Sequence, residues 1–282
     1  MGDGRTAGPG GPPDLRMDQP HAARIYDFYL GGKTNYRADR EAGEKVLAVW
    51  PAVPVAARTN RAFMHRAARV LAREYGLDQF LDIGTGIPTE PNLHQVVQSV
   101  NPRARVLYVD NDPIVLAHAR ALMGGSPEGR TACLHAGVTE PDVILRSPEM
   151  TRTLDLSRPV ALSGVALLHF VPDDSDAYGS IARLVSALPS GSALVLSHGT
   201  GDFEPEAMSR VAQVYESGGT RVRARSREEF ARFFDGLDLV RPGIEVPHRW
   251  RPDEGGCRRV GSGRDVAADS EVGLWAGMAL KR

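Results

Sequence analysis

The chain has 282 residues, 34 basic and 35 acidic, giving a formal net charge of −1 at pH 7, so it lacks the strong positive field of a protein built around nucleic acid. That length can bury a full core and suits one α/β domain with appendages. The two cysteines, Cys133 and Cys257, form no Cys-x-x-Cys pair, which excludes a cysteine zinc cluster or redox dithiol; no run reaches the roughly 18 apolar residues of a membrane span.

Residues 1–20 are rich in Gly and Pro and poor in apolar side chains, so they are expected to form a disordered tail. No basic, apolar signal segment is recognised, and a reduced, cytoplasmic protein is expected. From 37 to 75, apolar residues recur at helical spacing: Ala42, Val46, Leu47 and Trp50, then Phe63, Ala67, Val70 and Leu71, with breaks near Pro51 and Pro54. These helices precede the first strand and stand outside any strand-helix alternation. Residues 21–76 are therefore read as a helical cap over the ligand edge of a sheet domain at 77–282.

The first strand, expected at 79–83, runs into Asp82-Ile83-Gly84-Thr85-Gly86-Ile87-Pro88-Thr89. An apolar strand ends beside an acid, and two glycines let the backbone turn tightly and approach a ligand with no Cβ in the way. A helix is expected near 89–100, with Pro88 fitting a first turn and Glu90 complementing the helix dipole. The second strand, 105–110, ends at Asp110, twenty-four positions after Gly86, where a carboxylate can accept both ribose hydroxyls.

This pairing reads as a nucleoside-cofactor site. A dinucleotide fold wants a third glycine under its pyrophosphate, where this loop has Pro88 and Thr89. Asp82 would repel a pyrophosphate but attract a cationic amino-acid ligand. The reading favours S-adenosylmethionine, with S-adenosylhomocysteine as product, over the alternative of a nicotinamide oxidoreductase.

Further strands are predicted at 131–135, 159–164 and 192–198, with helices near 113–123, 140–146 and 174–188. The alternation implies a doubly wound parallel sheet with right-handed crossovers. Helices near 204–217 and 226–235, then extended stretches at 238–248 and 272–280 around a polar Gly-rich loop at 249–270, change the ending. Such a closing pair suits the class I methyltransferase variant of a Rossmann-like α/β sheet, mostly parallel with an antiparallel last strand.

The chain resembles an actinobacterial family of S-adenosylmethionine-dependent methyltransferases once catalogued as a domain of unknown function. The likeness is carried by Ala23-Arg24-Ile25-Tyr26-Asp27-Phe28-Tyr29-Leu30-Gly31-Gly32-Lys33-Thr34-Asn35-Tyr36, the Asp82 loop, Val109-Asp110-Asn111-Asp112-Pro113, Leu168-His169-Phe170-Val171-Pro172-Asp173 and Ser226-Arg227-Glu228-Glu229-Phe230. It implies a class I methyltransferase and no particular substrate. One departure is Ala136-Gly137-Val138 after the third strand, where such enzymes often carry an acid for the adenine amino group. Adenine would then meet backbone groups at Gly137 and Val138 or their neighbours.

Other candidates are weighed individually. Gly31 and Gly32 could turn Lys33 or Asn35 toward the cofactor carboxylate, or simply form a solvated turn. Tyr26 could shield a sulfonium with its ring face, although core packing is the plainer role. Asn111 could touch adenine or ribose, while Asp112 before Pro113 reads as a helix cap. His169 and His198 follow the fourth and fifth strands at the ligand edge and could act as general bases, or be structural. Arg221, Arg223, Arg225 and Arg227 read as a solvated charge run. No spacing compels a metal. The expected activity is methyl transfer to an oxygen or nitrogen of a small molecule, with no nucleic-acid or membrane partner; a non-catalytic cofactor-binding sensor is the alternative.

Overall fold

A computed structural model describes residues 17–122, 124–252 and 267–282. Most of the expected N-terminal tail, Cys257 and most of the 249–270 loop lie outside the described residues.

Seven strands build one sheet: β1 (Gln79–Ile83), β2 (Arg105–Asp110), β3 (Arg130–His135), β4 (Ala161–Val165), β5 (Ala193–Gly199), β6 (Asp238–Leu239) and β7 (Leu274–Leu280). Their spatial order is β3-β2-β1-β4-β5-β7-β6. The first five pair in parallel, whereas β7 runs antiparallel to β5 with Val195 opposite Met278. The mostly parallel sheet with its antiparallel last strand is thus as expected.

Strand residues alternate between two cores, as helices on both faces of a sheet require. Leu81, Leu107, Leu162 and Leu194 face one cluster completed by Ile181, Leu184, Phe230 and Phe233. Phe80, Val106, Ala161 and Val195 face the other with Phe63, Ala67, Leu71 and Trp250. Truncating such a buried residue, Leu71→Ala for example, costs about 2–5 kcal/mol.

Among the described residues three helices precede the sheet: α1 (Ala22–Tyr29), α2 (Arg37–Val49) and α3 (Val53–Glu74). The second half of α3, carrying Phe63 to Leu71, packs in the same core as β1 and β2, so the cap and the sheet share their interior. A separate apolar cluster joins Ile25, Tyr29, Val46 and Val53 of the cap to Met208 and Val211 of α9 (Pro205–Ser217). Buried Asp39 at the start of α2 accepts from the backbone N–H groups of His21 and Tyr36, and Arg24 Nε lies 3.4 Å from its Oδ1. The cap thereby holds its own entry geometry.

Several local expectations change. The helix after the glycine loop, α4, spans only Leu93–Gln98, so Pro88 and Glu90 belong to an irregular loop rather than its first turn. Pro91 disfavours helical geometry at Glu90. Asn92 precedes the helix, its side chain accepting from Thr89 N–H in the loop, while Gln95 in the first turn accepts from Asn92 N–H. Within 238–248 only β6 and an isolated bridge between Glu245 and Ala276 are extended, since Pro242 and Gly243 (φ 92°) turn the chain. A helix over Pro148–Thr153, α7, was not anticipated; Ser147 caps it by accepting from Met150 N–H at 3.1 Å.

Candidate active site

The carboxyl ends of β1, β2, β3 and β4 open into a cavity of about 540 Å³ roofed by α1 and α3. Asp82, Gly84, Gly86, Asp110, Asn111, Gly137, Val138 and Tyr26 all line it. Gly84 (φ 70°) and Gly86 (φ 68°) both hold the left-handed backbone that favours glycine. At Gly84 a Cβ would also fall 2.6 Å from Leu167 Cδ1, so the loop can pass under the segment after β4 only without a side chain.

Asp110 is fixed before any ligand arrives. Its Oδ2 accepts from Gly86 N–H and its Oδ1 from Asp112 N–H, each at 2.9 Å. Burial pushes its carboxyl above the usual carboxylate range, against the pull of those two N–H groups. Asp112 does cap α5 (Pro113–Leu122), accepting from Ile114 N–H at 2.8 Å. Its other oxygen lies 3.2 Å from His21 Nδ1 and 3.6 Å from Arg24 Nε, so the same carboxylate also ties α1 to the sheet edge.

Asp82 is half-buried at the floor of the cavity. Burial pushes its carboxyl up to about 7, with the Ser163 hydroxyl and the Arg61 guanidinium opposing. Arg61, on α3, lines the same cavity and was not singled out from sequence. It donates to the Thr89 and Pro91 carbonyls of the irregular loop, while its buried Nε has no hydrogen-bond partner. No local sequence signal separates it from Arg58, Arg66 or Arg69 on the same helix.

Lys33 and Asn35 do not line the cavity. Lys33 is exposed, and buried Asn35 donates to Asp27 Oδ2 and the Gly32 carbonyl while its own oxygen accepts from Arg40. The Gly31-Gly32 turn thus closes on Asp27, because a local carboxylate meets those donors sooner than a distant ligand could.

The two histidines part company. His198 is fully buried, its Nδ1 2.8 Å from the Gly199 carbonyl and its Nε2 2.9 Å from Arg225, which leaves no free nitrogen for a general base. Arg225 itself is buried rather than solvated: it donates to the Leu168 and Val171 carbonyls, to His198 and to Asp173 Oδ1, and packs over the Tyr178 and Phe233 rings. His169 accepts from Gly199 N–H at its Nδ1, so the ring proton sits on Nε2. Burial and the Arg225 charge push His169 down to about 4, leaving it neutral near pH 7. In that tautomer its outer nitrogen is a hydrogen-bond donor, not a base.

The parallel sheet with its antiparallel β7, the glycine loop after β1 and the acid closing β2 define a class I S-adenosylmethionine-dependent methyltransferase. The chain belongs to the S-adenosyl methyltransferase family, whose family model matches residues 10–282. It is similar to a DUF574 family protein of Streptomyces avermitilis, with 47% identity, a TM-score of 0.90 and coverage of 95% of this chain and 100% of that one. A candidate methyltransferase of Thermobifida fusca shares 37% identity and a TM-score of 0.85 over 98% of this chain and 100% of that one. A magnesium protoporphyrin IX methyltransferase of Synechocystis, solved with bound SAH, shows likeness of fold alone, with 10% identity and a TM-score of 0.50 over 92% of this chain and 93% of that one. A comparison with curated proteins returned no match.

The cavity fits S-adenosylmethionine. A half-buried carboxyl pushed up to about 7 and a guanidinium with an unpartnered Nε complement a zwitterionic amino-acid group. A pre-set Asp110 complements a diol, and the open backbone at Gly137 to Thr139 leaves room for a flat base.

Proposed function

We propose that the protein transfers the methyl group of S-adenosylmethionine to an oxygen or nitrogen of a small molecule. The observation that carries this reading is the placement of Asp82, Arg61 and Asp110 around one cavity beside the glycine loop. Asp82 would accept from the cofactor's ammonium, Arg61 would donate to its carboxylate, and Asp110 would accept from both ribose hydroxyls. Gly137 and Val138 would supply backbone contacts to adenine, with Asn111 at the rim.

Bound S-adenosylmethionine would supply an activated methyl: a lone pair of the acceptor would form the new bond as the carbon–sulfur bond breaks, S-adenosylhomocysteine would leave as the neutral thioether, and the acceptor's proton would pass to water at the cavity mouth. The chain's own part is placement and dryness. Tyr26 is held as a fixed wall, its hydroxyl donating to the Ala57 carbonyl and accepting from Asn60 Nδ2. Asn60 is fixed in turn by the Ser197 hydroxyl at 2.6 Å. With these groups satisfied and His198 enclosed, rate enhancement comes from alignment rather than from a dedicated base.

Neutral composition and a cavity roofed by α1 and α3 favour a small-molecule acceptor over nucleic acid. No helix of the described residues is long and apolar enough to cross a membrane. The test is incubation with methyl-labelled donor and a fractionated cell extract. Label should pass to a small molecule and be lost in Asp82→Ala; transfer that survives Asp82→Ala, or no transfer at all, contradicts the proposal.

A further inference from the structure

A second cavity of about 90 Å³ lies directly behind the first. The two share Ala22, Tyr26, Asn60, Ala166 and Phe170, so these residues form a neck between them. Beyond the neck the walls are Tyr29, Trp50, Met208, Val211 and Tyr215, from the cap and from α9. This is where the cap cluster closes over the sheet edge, and its lining contains no Asp, Glu, Lys or Arg among the described residues. The polar groups that do reach it are neutral. They belong to Asn60, His169, Tyr26, Tyr29 and Tyr215, the buried hydroxyl of Tyr29 lying near that of Tyr215. Burial raises both tyrosines, Tyr215 to about 12, so neither ionises near pH 7.

Resting on the methyl-transfer reading above, we infer that this second cavity is the acceptor subsite and that the acceptor is an uncharged small molecule placing one aromatic or branched apolar group in it, with the reacting hydroxyl or amine at the Tyr26–Phe170 neck. Size sets the first limit, since about 90 Å³ takes a single ring or branched alkyl group and not a fused polycycle. Charge sets the second. An ionised group entering a cavity without a counter-charge forfeits its hydration with no compensation. The donor face of His169 can hold a neutral oxygen, and the Tyr and Trp rings supply the contact area.

The experiment uses phenol and benzoate, one ring with and without charge, against full-length protein. S-adenosylhomocysteine is first titrated by calorimetry; its failure to bind would remove the methyl-transfer reading and the subsite with it. Each ring probe is then titrated into the S-adenosylhomocysteine-saturated protein by saturation-transfer NMR. Phenol should bind at least about tenfold more tightly than benzoate. Val211→Phe and Met208→Phe, which fill the second cavity only, should each weaken phenol about tenfold or more while S-adenosylhomocysteine affinity stays within about twofold. Bound S-adenosylhomocysteine with no saturable phenol site, benzoate equal to phenol, or phenol unaffected in both filled variants would each overturn the acceptor subsite while leaving the cofactor site standing. The phenol-to-benzoate ratio needs no variant, so a misfolded substitution does not rescue the claim.

Discussion

Gly86 donates its backbone N–H to Asp110 Oδ2 at 2.9 Å, which makes the glycine loop after β1 and the acid closing β2 a single hydrogen-bonded unit. The carboxylate proposed to take a ribose therefore also sets the loop proposed to surround the amino-acid end of the same ligand.

Asp110→Ala should lose both functions. Two hydrogen bonds to a charged acceptor are worth roughly 1.5–3 kcal/mol each before water replaces them, so S-adenosylhomocysteine affinity should fall at least tenfold by calorimetry. Amide exchange at Gly86 should quicken in the same variant. Unchanged affinity would place the cofactor acid elsewhere.

Asp112→Ala should act mainly through stability. Losing the Ile114 cap costs about 1 kcal/mol, and loss of the His21 and Arg24 contacts loosens α1 further. The expected result is a lower melting temperature with an affinity loss much smaller than in Asp110→Ala. The reverse ranking would exchange the roles of the two acids.

Asp82 sets a pH dependence of defined sign. Its folded value, about 7, lies above the ordinary 3.8, so the folded protein binds this proton more tightly and loses stability as pH rises through that window. Without ligand at pH 7.5, Asp82→Asn should melt higher than the parent protein. Ammonium binding needs the ionised form, so S-adenosylhomocysteine affinity should rise between pH 5.5 and 7.5, by up to about tenfold per unit, and Asp82→Asn should flatten that slope. A flat profile in the parent protein would contradict the assignment.

Buried histidines impose the opposite trend. His169 and His65 sit at about 4, and His198 lies well below its usual range, chiefly through burial. Their folded values are depressed, so the unfolded chain takes up protons first and stability falls as pH drops below about 6.5. His94 and His248 are depressed in the same way, so five histidines oppose the two raised carboxyls, Asp82 and Asp110, and chemical denaturation at pH 5 should show lower stability than at pH 7.

Arg225→Lys separates a buried hub from a solvated charge. A lysine cannot reproduce the fork that meets two carbonyls, His198 and Asp173, and about 2 kcal/mol or more should be lost. Because Arg225 holds the Leu168–Val171 segment that walls both cavities, ligand affinity should fall as well. A neutral substitution would restore the solvated reading.

Sequence patterning located the sheet well, because buried parallel strands are short apolar runs with sharp ends: Gln79–Ile83 and Arg105–Asp110 lie where the pattern places them. The acids and glycines that line the first cavity were legible for the same reason, being tied to strand ends. What was hidden depends on long-range contact. Nothing local distinguishes Arg225 from Arg221 or Arg223, yet only Arg225 turns inward, toward the Leu168 and Val171 carbonyls after β4. Lys33 and Asn35 misled because a glycine turn looks alike whether it meets a ligand or its own Asp27. Arg61 lies on a helix whose packing against the sheet edge becomes visible only in three dimensions.

The most direct test is parallel calorimetric titration of the full-length protein with S-adenosylmethionine, S-adenosylhomocysteine and NAD at pH 7.5. The account predicts saturable binding of the first two, weakened at least about tenfold by Asp110→Ala, and no binding of NAD. Tight NAD binding with no response to either sulfur ligand would contradict it and make the 540 Å³ cavity a dinucleotide site.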